Sequence, residues 1–397
     1  MAAEESKMGE LLSHCHESIE KIKSIGSSEE GPWKDLPEEL VHNILTHLVG
    51  RDFIALQSVC KSWKSSTMSC AILSPCLLVM SSNRLHYPIS NSTIANMNIY
   101  DCGNTPSSII RCSNYNWLLM RIDPKNSLIF FNPFTNVKIE LPTIHLISSL
   151  SCFSFSAPPT SPDCTVFCIC TDICDKIYFC ILRRFESEWN ILEYDRDADF
   201  IASSSTSLFY QGRYYYSLSK QGDLVIYDMD DEDEQPQPRW IKSSTSFLRN
   251  RLSTKRCQSF MTESDEGELL AVFMSCDGQW VQVCKLDESR MIWVPVHDLG
   301  SNSIFISNPA TFVETTKIKG TENKIYVPWF RGTNVNNKKN KVPLFYSLAT
   351  RKYHSFGASA SYSSLYESTR PASNTWIKPI SHYHLTCTTN LSYKFTW

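Results

Sequence analysis

Five times along the chain the same local pattern returns: three short apolar strands of period two, separated by residues that favour turns. One unit reads WLLMRI, DPKN, SLIFFN, PFTN and VKIEL; another reads ELLAVFMS, CDG, QWVQVCKL, DESR and MIWVPV. Between them lie TVFCIC with KIYFCIL and WNILEY, and RYYYSL with LVIYD and RWIK; KIYVPW with PLFYSL and KYHSF comes last. The units begin at Trp117, Thr165, Arg213, Glu268 and Lys324, so the pattern recurs about every 50 residues. Strand arrays of that period close into a ring of blades, a β-propeller, which leaves only short, protected edges. About 300 residues at about 50 per blade predict roughly six blades. The sixth is expected from the region after Pro75 together with the C-terminal TWIKPI, the strand around Trp376 pairing near Leu77 to Met80. A pair of β-sandwiches is the alternative fold, and it would not require a regular period. Asp277 and Gly278 mark a hairpin, because both residue types tolerate positive φ at the centre of a tight turn.

Upstream the texture is helical. Residues 1–31 are polar and end in GSSEEGP; within them Leu11, Leu12, Cys15, Ile19 and Ile22 recur at helical spacing and permit a short helix between about Gly9 and Ser24. In WKDLPEELVHNILTHLVGRDFIALQSVCKSWKSS, Pro37 suits a first helical position, and Glu38 and Glu39 put negative charge at the positive helix end. Leu40, Ile44 and Leu48 form one stripe, Val41 and Leu45 widen it, and Gly50 is a stop. Asp52 caps a second helix through Phe53, Leu56, Val59 and Cys60, and a third carries Trp63. Three helices in about 40 residues sit at the lower limit for independent folding and hold more large apolar side chains than they can hide. Some of those side chains should face a partner or the rest of the chain.

LPEEL, ILTHL, Asp52, Leu56 and VCKSW resemble the F-box motif in order and spacing. The resemblance implies that Leu36, Pro37, Leu40, Ile44, Leu45, Leu48, Leu56, Val59, Cys60 and Trp63 build the small all-α, three-helix domain and the surface that holds a Skp1-like adaptor. Through that adaptor such proteins join a cullin scaffold and a RING subunit, as the substrate receptor of an SCF-type ubiquitin ligase. The receptor brings no catalytic residue of its own. The β region is similar to the kelch-like KIB-type domain that follows the F-box in many plant proteins. NWLLM with LIFFNPFTNVKIELP, FMTESDEGELLAVF, VCKLDESRMIWVPVHDLGSNSIFIS and TWIKPIS carry that similarity. The sequence departs from the family at Ser113 to Asn116, where a small, glycine-containing turn is more usual. The expected division is a polar segment 1–31, an F-box-like domain 32–74, a kelch-like β-propeller 75–381 and a tail 382–397.

Several function classes are disfavoured. A net charge of −3, with 38 basic against 41 acidic residues, offers no general attraction to nucleic acid or an anionic membrane. No signal peptide precedes the first acidic residues, and no apolar run reaches the length of a membrane span. An intracellular chain, in nucleus or cytoplasm, is expected to keep its 16 cysteines as free thiols. Cys164, Cys168, Cys170, Cys174 and Cys180 lack the C-x-x-C knuckle of a zinc site, so no metal and no cofactor are expected. Cys168 and Cys170 instead read as one face of a strand. His382, His384 and Cys387 are read as surface tail. The acidic run Asp228 to Glu234 lacks EF-hand spacing and reads as a solvated loop, and Lys338, Lys339 and Lys341 read as an exposed loop. Trp280, Trp293, Tyr326 and Trp329 fall within strands and read as blade packing. No phosphate loop, G-x-S-x-G elbow or H-E-x-x-H pair is present, which disfavours an enzyme. The competing function is a free-standing propeller that scaffolds or binds ligands without an adaptor.

Overall fold

A computed structural model describes residues 36–37, 40, 63, 75–80, 84–87, 92–94, 108–122, 127–133, 137–144, 150–171, 176–195, 202–219, 221–231, 236–242, 257–275, 278–308, 310–316, 320–331, 342–355, 361–362, 374–378 and 397. The chain divides into two compact units, a smaller N-terminal one and a larger one that holds all the described strands.

The larger unit is a six-bladed β-propeller. Its first strands, β1 (Cys76–Val79), β2 (Arg84–Tyr87) and β3 (Ser92–Ile94), form an incomplete blade. Three four-stranded antiparallel meanders follow. They are β4 (Ser108–Asn114), β5 (Trp117–Ile122), β6 (Ser127–Asn132) and β7 (Val137–Glu140); β8 (Leu150–Phe155), β9 (Thr165–Thr171), β10 (Lys176–Arg183) and β11 (Asn190–Asp195); and β12 (Ala202–Tyr210), β13 (Tyr214–Ser219), β14 (Leu224–Asp228) and β15 (Arg239–Ile241). The next blade is β16 (Cys257–Glu263), β17 (Leu269–Ser275), β18 (Val281–Asp287) and β19 (Ile292–Val296). The sixth is larger: β20 (Asn302–Ser307), β21 (Ala310–Thr315), β22 (Lys324–Arg331), β23 (Val342–Ser347), β24 (Lys352–Ser355) and β25 (Ser361–Tyr362), in the order β21-β20-β22-β23-β24-β25.

Finally β26 (Asn374–Ile377) returns to pair antiparallel with β1, placing Trp376 opposite Leu77. The ring therefore closes through hydrogen bonds between its first and last strands, where the sequence pattern placed the closure. The innermost strands β26, β4, β8, β12, β16 and β21 neighbour one another in turn around the axis.

The period of two explains the core. Each central strand is sandwiched between two neighbouring blades, so both of its faces are apolar; β17 is buried at all its positions. Leu270, Val272 and Met274 pack into the seam with β20–β24, whereas Leu269, Ala271 and Phe273 pack into the seam with β12–β15. In β9, Val166, Cys168 and Cys170 face β4–β7 while Phe167 and Ile169 face β12–β15. Six separate clusters of buried side chains result, one in each seam of the ring.

Tyr115 and Asn116, at the departure from the family pattern, form the two-residue turn between β4 and β5 with φ of 49° and 64°. Both values lie in the left-handed region that a type I′ hairpin needs. Tyr115 holds that conformation with its hydroxyl donating to the Ser156 carbonyl oxygen at 2.8 Å and its ring against Phe155.

Candidate functional site

The last residues of the innermost strands gather at one mouth of the ring, and a circuit of contacts shows it. Tyr115, just past β4, reaches Ser156, just past β8. Ser207 in β12 donates to the Phe153 carbonyl oxygen in β8 at 3.1 Å. The hydroxyl of Tyr210, the last residue of β12, donates to the carbonyl oxygen of Gly267 in the β16–β17 turn at 2.7 Å. In that turn Asp265 accepts from Thr315, the last residue of β21, at 3.0 Å and lies 3.8 Å from Lys378, just past β26. Ser113 in β4 donates to the Trp376 carbonyl oxygen at 3.5 Å and completes the circuit.

Glu263 ends β16 at this mouth. It is half-buried, and desolvation raises its carboxyl above the usual range although Lys378 pulls the other way. Burial also raises the Tyr115 and Tyr210 hydroxyls, and the Glu263 charge adds to both. Exposed Asp265 and Glu266 make this part of the mouth acidic. On the same end of the third blade, the β10–β11 turn presents Phe185, 72% exposed and held at a φ of 73°. A bulky residue in that region is a backbone outlier, and the Arg184 guanidinium lies 4.7 Å from the centroid of the exposed ring. Nothing in the sequence marked Glu263, because its neighbourhood of Tyr115, Tyr210 and Lys378 is assembled from separate blades.

In the N-terminal unit Leu36 is half-buried, Pro37 and Leu40 are exposed, and Trp63 is buried. The Leu40 amide donates to the Pro37 carbonyl oxygen at 3.0 Å. Leu40, 51% exposed, is thus offered outward, whereas Trp63 belongs to packing. Ile44, Leu45, Leu48, Leu56, Val59 and Cys60 lie outside the described residues, as do the segment 9–24, Lys338, Lys339, Lys341, His382, His384 and Cys387.

The acidic run is tied down at its head. Arg213 donates to Asp228 at 2.7 Å, lowering that carboxyl, and Asp228 accepts in turn from the Asp230 amide at 3.1 Å. Trp293 is buried, its indole N–H donating to the Gly222 carbonyl oxygen at 2.9 Å across a seam; Tyr326 is fully buried and Trp280 packs at a seam edge. Cys168 and Cys170 share one face of β9, as period two predicts, and a third thiol joins them from the next strand. Cys168 stands opposite Cys180 of β10, and the three sulfurs lie within 4.8 Å of one another. Local spacing along β9 alone could not reveal this group.

Comparison with known proteins agrees with these two units. The KIB1-4 beta-propeller family matches residues 86–347, and the F-box domain family matches residues 33–74. An F-box/kelch-repeat protein of Arabidopsis thaliana is 26% identical over 343 residues, covering 81% of this chain and 88% of its own length. An F-box protein of the same plant is 24% identical over 303 residues, covering 75% and 79%. A second F-box/kelch-repeat protein is 23% identical over 312 residues, covering 75% and 80%.

Proposed function

Since this chain belongs to the plant F-box proteins with a KIB1-4 beta-propeller, we propose that it is the substrate receptor of an SCF-type ubiquitin ligase. Its F-box holds a Skp1-like adaptor and, through it, a cullin and a RING subunit; its propeller holds a protein target. It works inside the cell, in nucleus or cytoplasm, and contributes position rather than catalysis. The observation that carries this reading is the pairing of an F-box match with apolar residues that face outward. Pro37 and Leu40 are exposed at the start of the F-box while Trp63 is buried. An exposed leucine beside an exposed proline contributes little to its own fold and much to an interface.

The propeller mouth is the proposed target face. Loops from distant parts of the sequence meet there on a rigid ring, the arrangement in which binding surfaces are commonly built. Its acidic turn and the exposed Phe185 ring suit a target that presents basic and apolar groups.

The magnitudes favour a surface of several residues acting together. Burying one leucine is worth about 1.5–3 kcal/mol, whereas association itself costs about 4–15 kcal/mol. Replacing both Pro37 and Leu40 by Ala should remove a few kcal/mol, and each 1.4 kcal/mol is tenfold in affinity. Capture of a Skp1-like adaptor should fall about a hundredfold while circular dichroism of the propeller stays unchanged. A folded double variant that captures adaptor as well as the wild type would leave a free-standing propeller as the better account.

A further inference from the structure

Cys168 and Cys170 stand two apart on β9, and residues so placed are spaced about 6.6 Å along a strand. Their sulfurs do not keep that spacing. Both lean towards Cys180 on β10, so that all three lie within 4.8 Å of one another and the Cys170 and Cys180 sulfurs are 3.8 Å apart. Three sulfurs bound at about 2.3 Å to one ion in a trigonal plane stand about 4.0 Å apart. The three side chains are fully buried, with Phe153, Val166 and Leu182 in the same apolar cluster.

We propose that Cys168, Cys170 and Cys180 form a trigonal site for one soft monovalent cation, Cu+, in the seam between β4–β7 and β8–β11. Two arguments select that ion. Thiolate sulfur is a soft ligand that favours Cu+ over hard cations. Structural zinc wants four ligands, and among the described residues the group has three. Each sulfur that binds the ion gives up its proton to solvent, because the thiolate is the ligating form.

The test uses the full-length chain, purified under reducing, oxygen-free conditions and titrated with Cu+ against a Cu+-selective chelator. One ion should bind, and X-ray absorption at the copper edge should show three sulfurs at about 2.3 Å. Protons should be released to solvent as the ion binds, and the unfolding temperature should rise, as for any ligand held by the native state alone. Cys180→Ser should weaken binding by at least about 100-fold, since even second-sphere changes cost about 10–100-fold. Cys284→Ser, buried in a different seam, should bind as the wild type does. If Cys180→Ser fails to fold, the wild-type absorption spectrum and the Cys170→Ser affinity decide. Equal affinity in the variants of this group and the wild type, a copper shell with fewer than three sulfurs, or tighter binding of Zn2+ than of Cu+ would each overturn the site.

Discussion

Phe305 and Tyr326 stack face to face, with ring centroids 4.5 Å apart and planes within 6°. They are register partners in the parallel pairing of β20 with β22, where every other described strand pair is antiparallel. Trp376 of β26 meets the edge of Phe305 at 5.1 Å and 75°. The last strand therefore closes the ring twice, by backbone pairing to β1 and by an aromatic edge inserted into the sixth blade.

That double role makes Trp376 a sensitive position. It is fully buried, so Trp376→Ala should cost about 3–5 kcal/mol and lower the urea midpoint of the whole propeller. Trp376→Phe should cost much less, because the indole N–H has no hydrogen-bond partner among the described residues to lose. Val294→Ala, at an exposed site, should change stability by no more than about 0.5 kcal/mol. An unaltered transition for Trp376→Ala would mean that the ring does not depend on this strand.

Phe185 offers a prediction of the opposite sign. Its φ of 73° strains any side chain, and its ring is exposed, so Phe185→Gly should stabilise the propeller by about 1 kcal/mol. The lost contact with Arg184 offsets only about 0.5 kcal/mol of that. Capture of the target, once identified by mass spectrometry, should weaken in the same variant. A variant both less stable and fully able to bind would show that the phenyl ring serves the fold.

Glu263 and Asp228 should respond to pH in opposite directions. The Glu263 pKa is raised by burial, so its folded form costs stability above that pKa, and the cost disappears as pH falls through it. Glu263→Gln should therefore stabilise the protein at neutral pH, and the gain should shrink in acid, where the wild-type carboxyl takes up its own proton. The Asp228 pKa is lowered by Arg213. Its contribution is present above the ordinary carboxylate pKa and is lost as pH falls through the lower folded value, so Asp228→Asn should matter at neutral pH and not in strong acid. Denaturation curves collected across the acid range distinguish the two. A Glu263→Gln effect that did not vary with pH would refute the burial account.

Much of the fold was legible in the sequence because the second and third strands of a blade are largely buried on both faces. Four of the five repeating units begin within one residue of β5, β9, β13 and β17, the second strands of their blades, and the fifth begins at β22. The inner strands β4, β8, β12 and β16 escaped notice. Their sequences SIIRCSN, LSCFSF, ASSSTSLFY and CQSFMTE are rich in Ser, Thr and Cys, small residues that let six strands crowd one axis but give a weak apolar alternation. β12 in particular reads as a loop by composition. The mouth and the sulfur group were hidden for a related reason: both are made by residues that only the third dimension brings together, as Asp265 meets Lys378 and Cys170 meets Cys180. The F-box was readable because its motif is continuous in the chain, an order of residues within 33–74.

The pairing of β1 with β26 also bears on how the protein is made. During synthesis the F-box emerges first, then the incomplete blade β1–β3, and the edge of β1 waits for a partner that is translated after all five other blades. A nascent chain, or any product that stops before Asn374, is an open arc with a bare strand edge, the kind of surface that invites aggregation and capture by chaperones. The F-box unit is complete long before that point. A truncated chain would thus carry its F-box without a closed propeller, and the unpaired edge of β1 would mark it as unfinished.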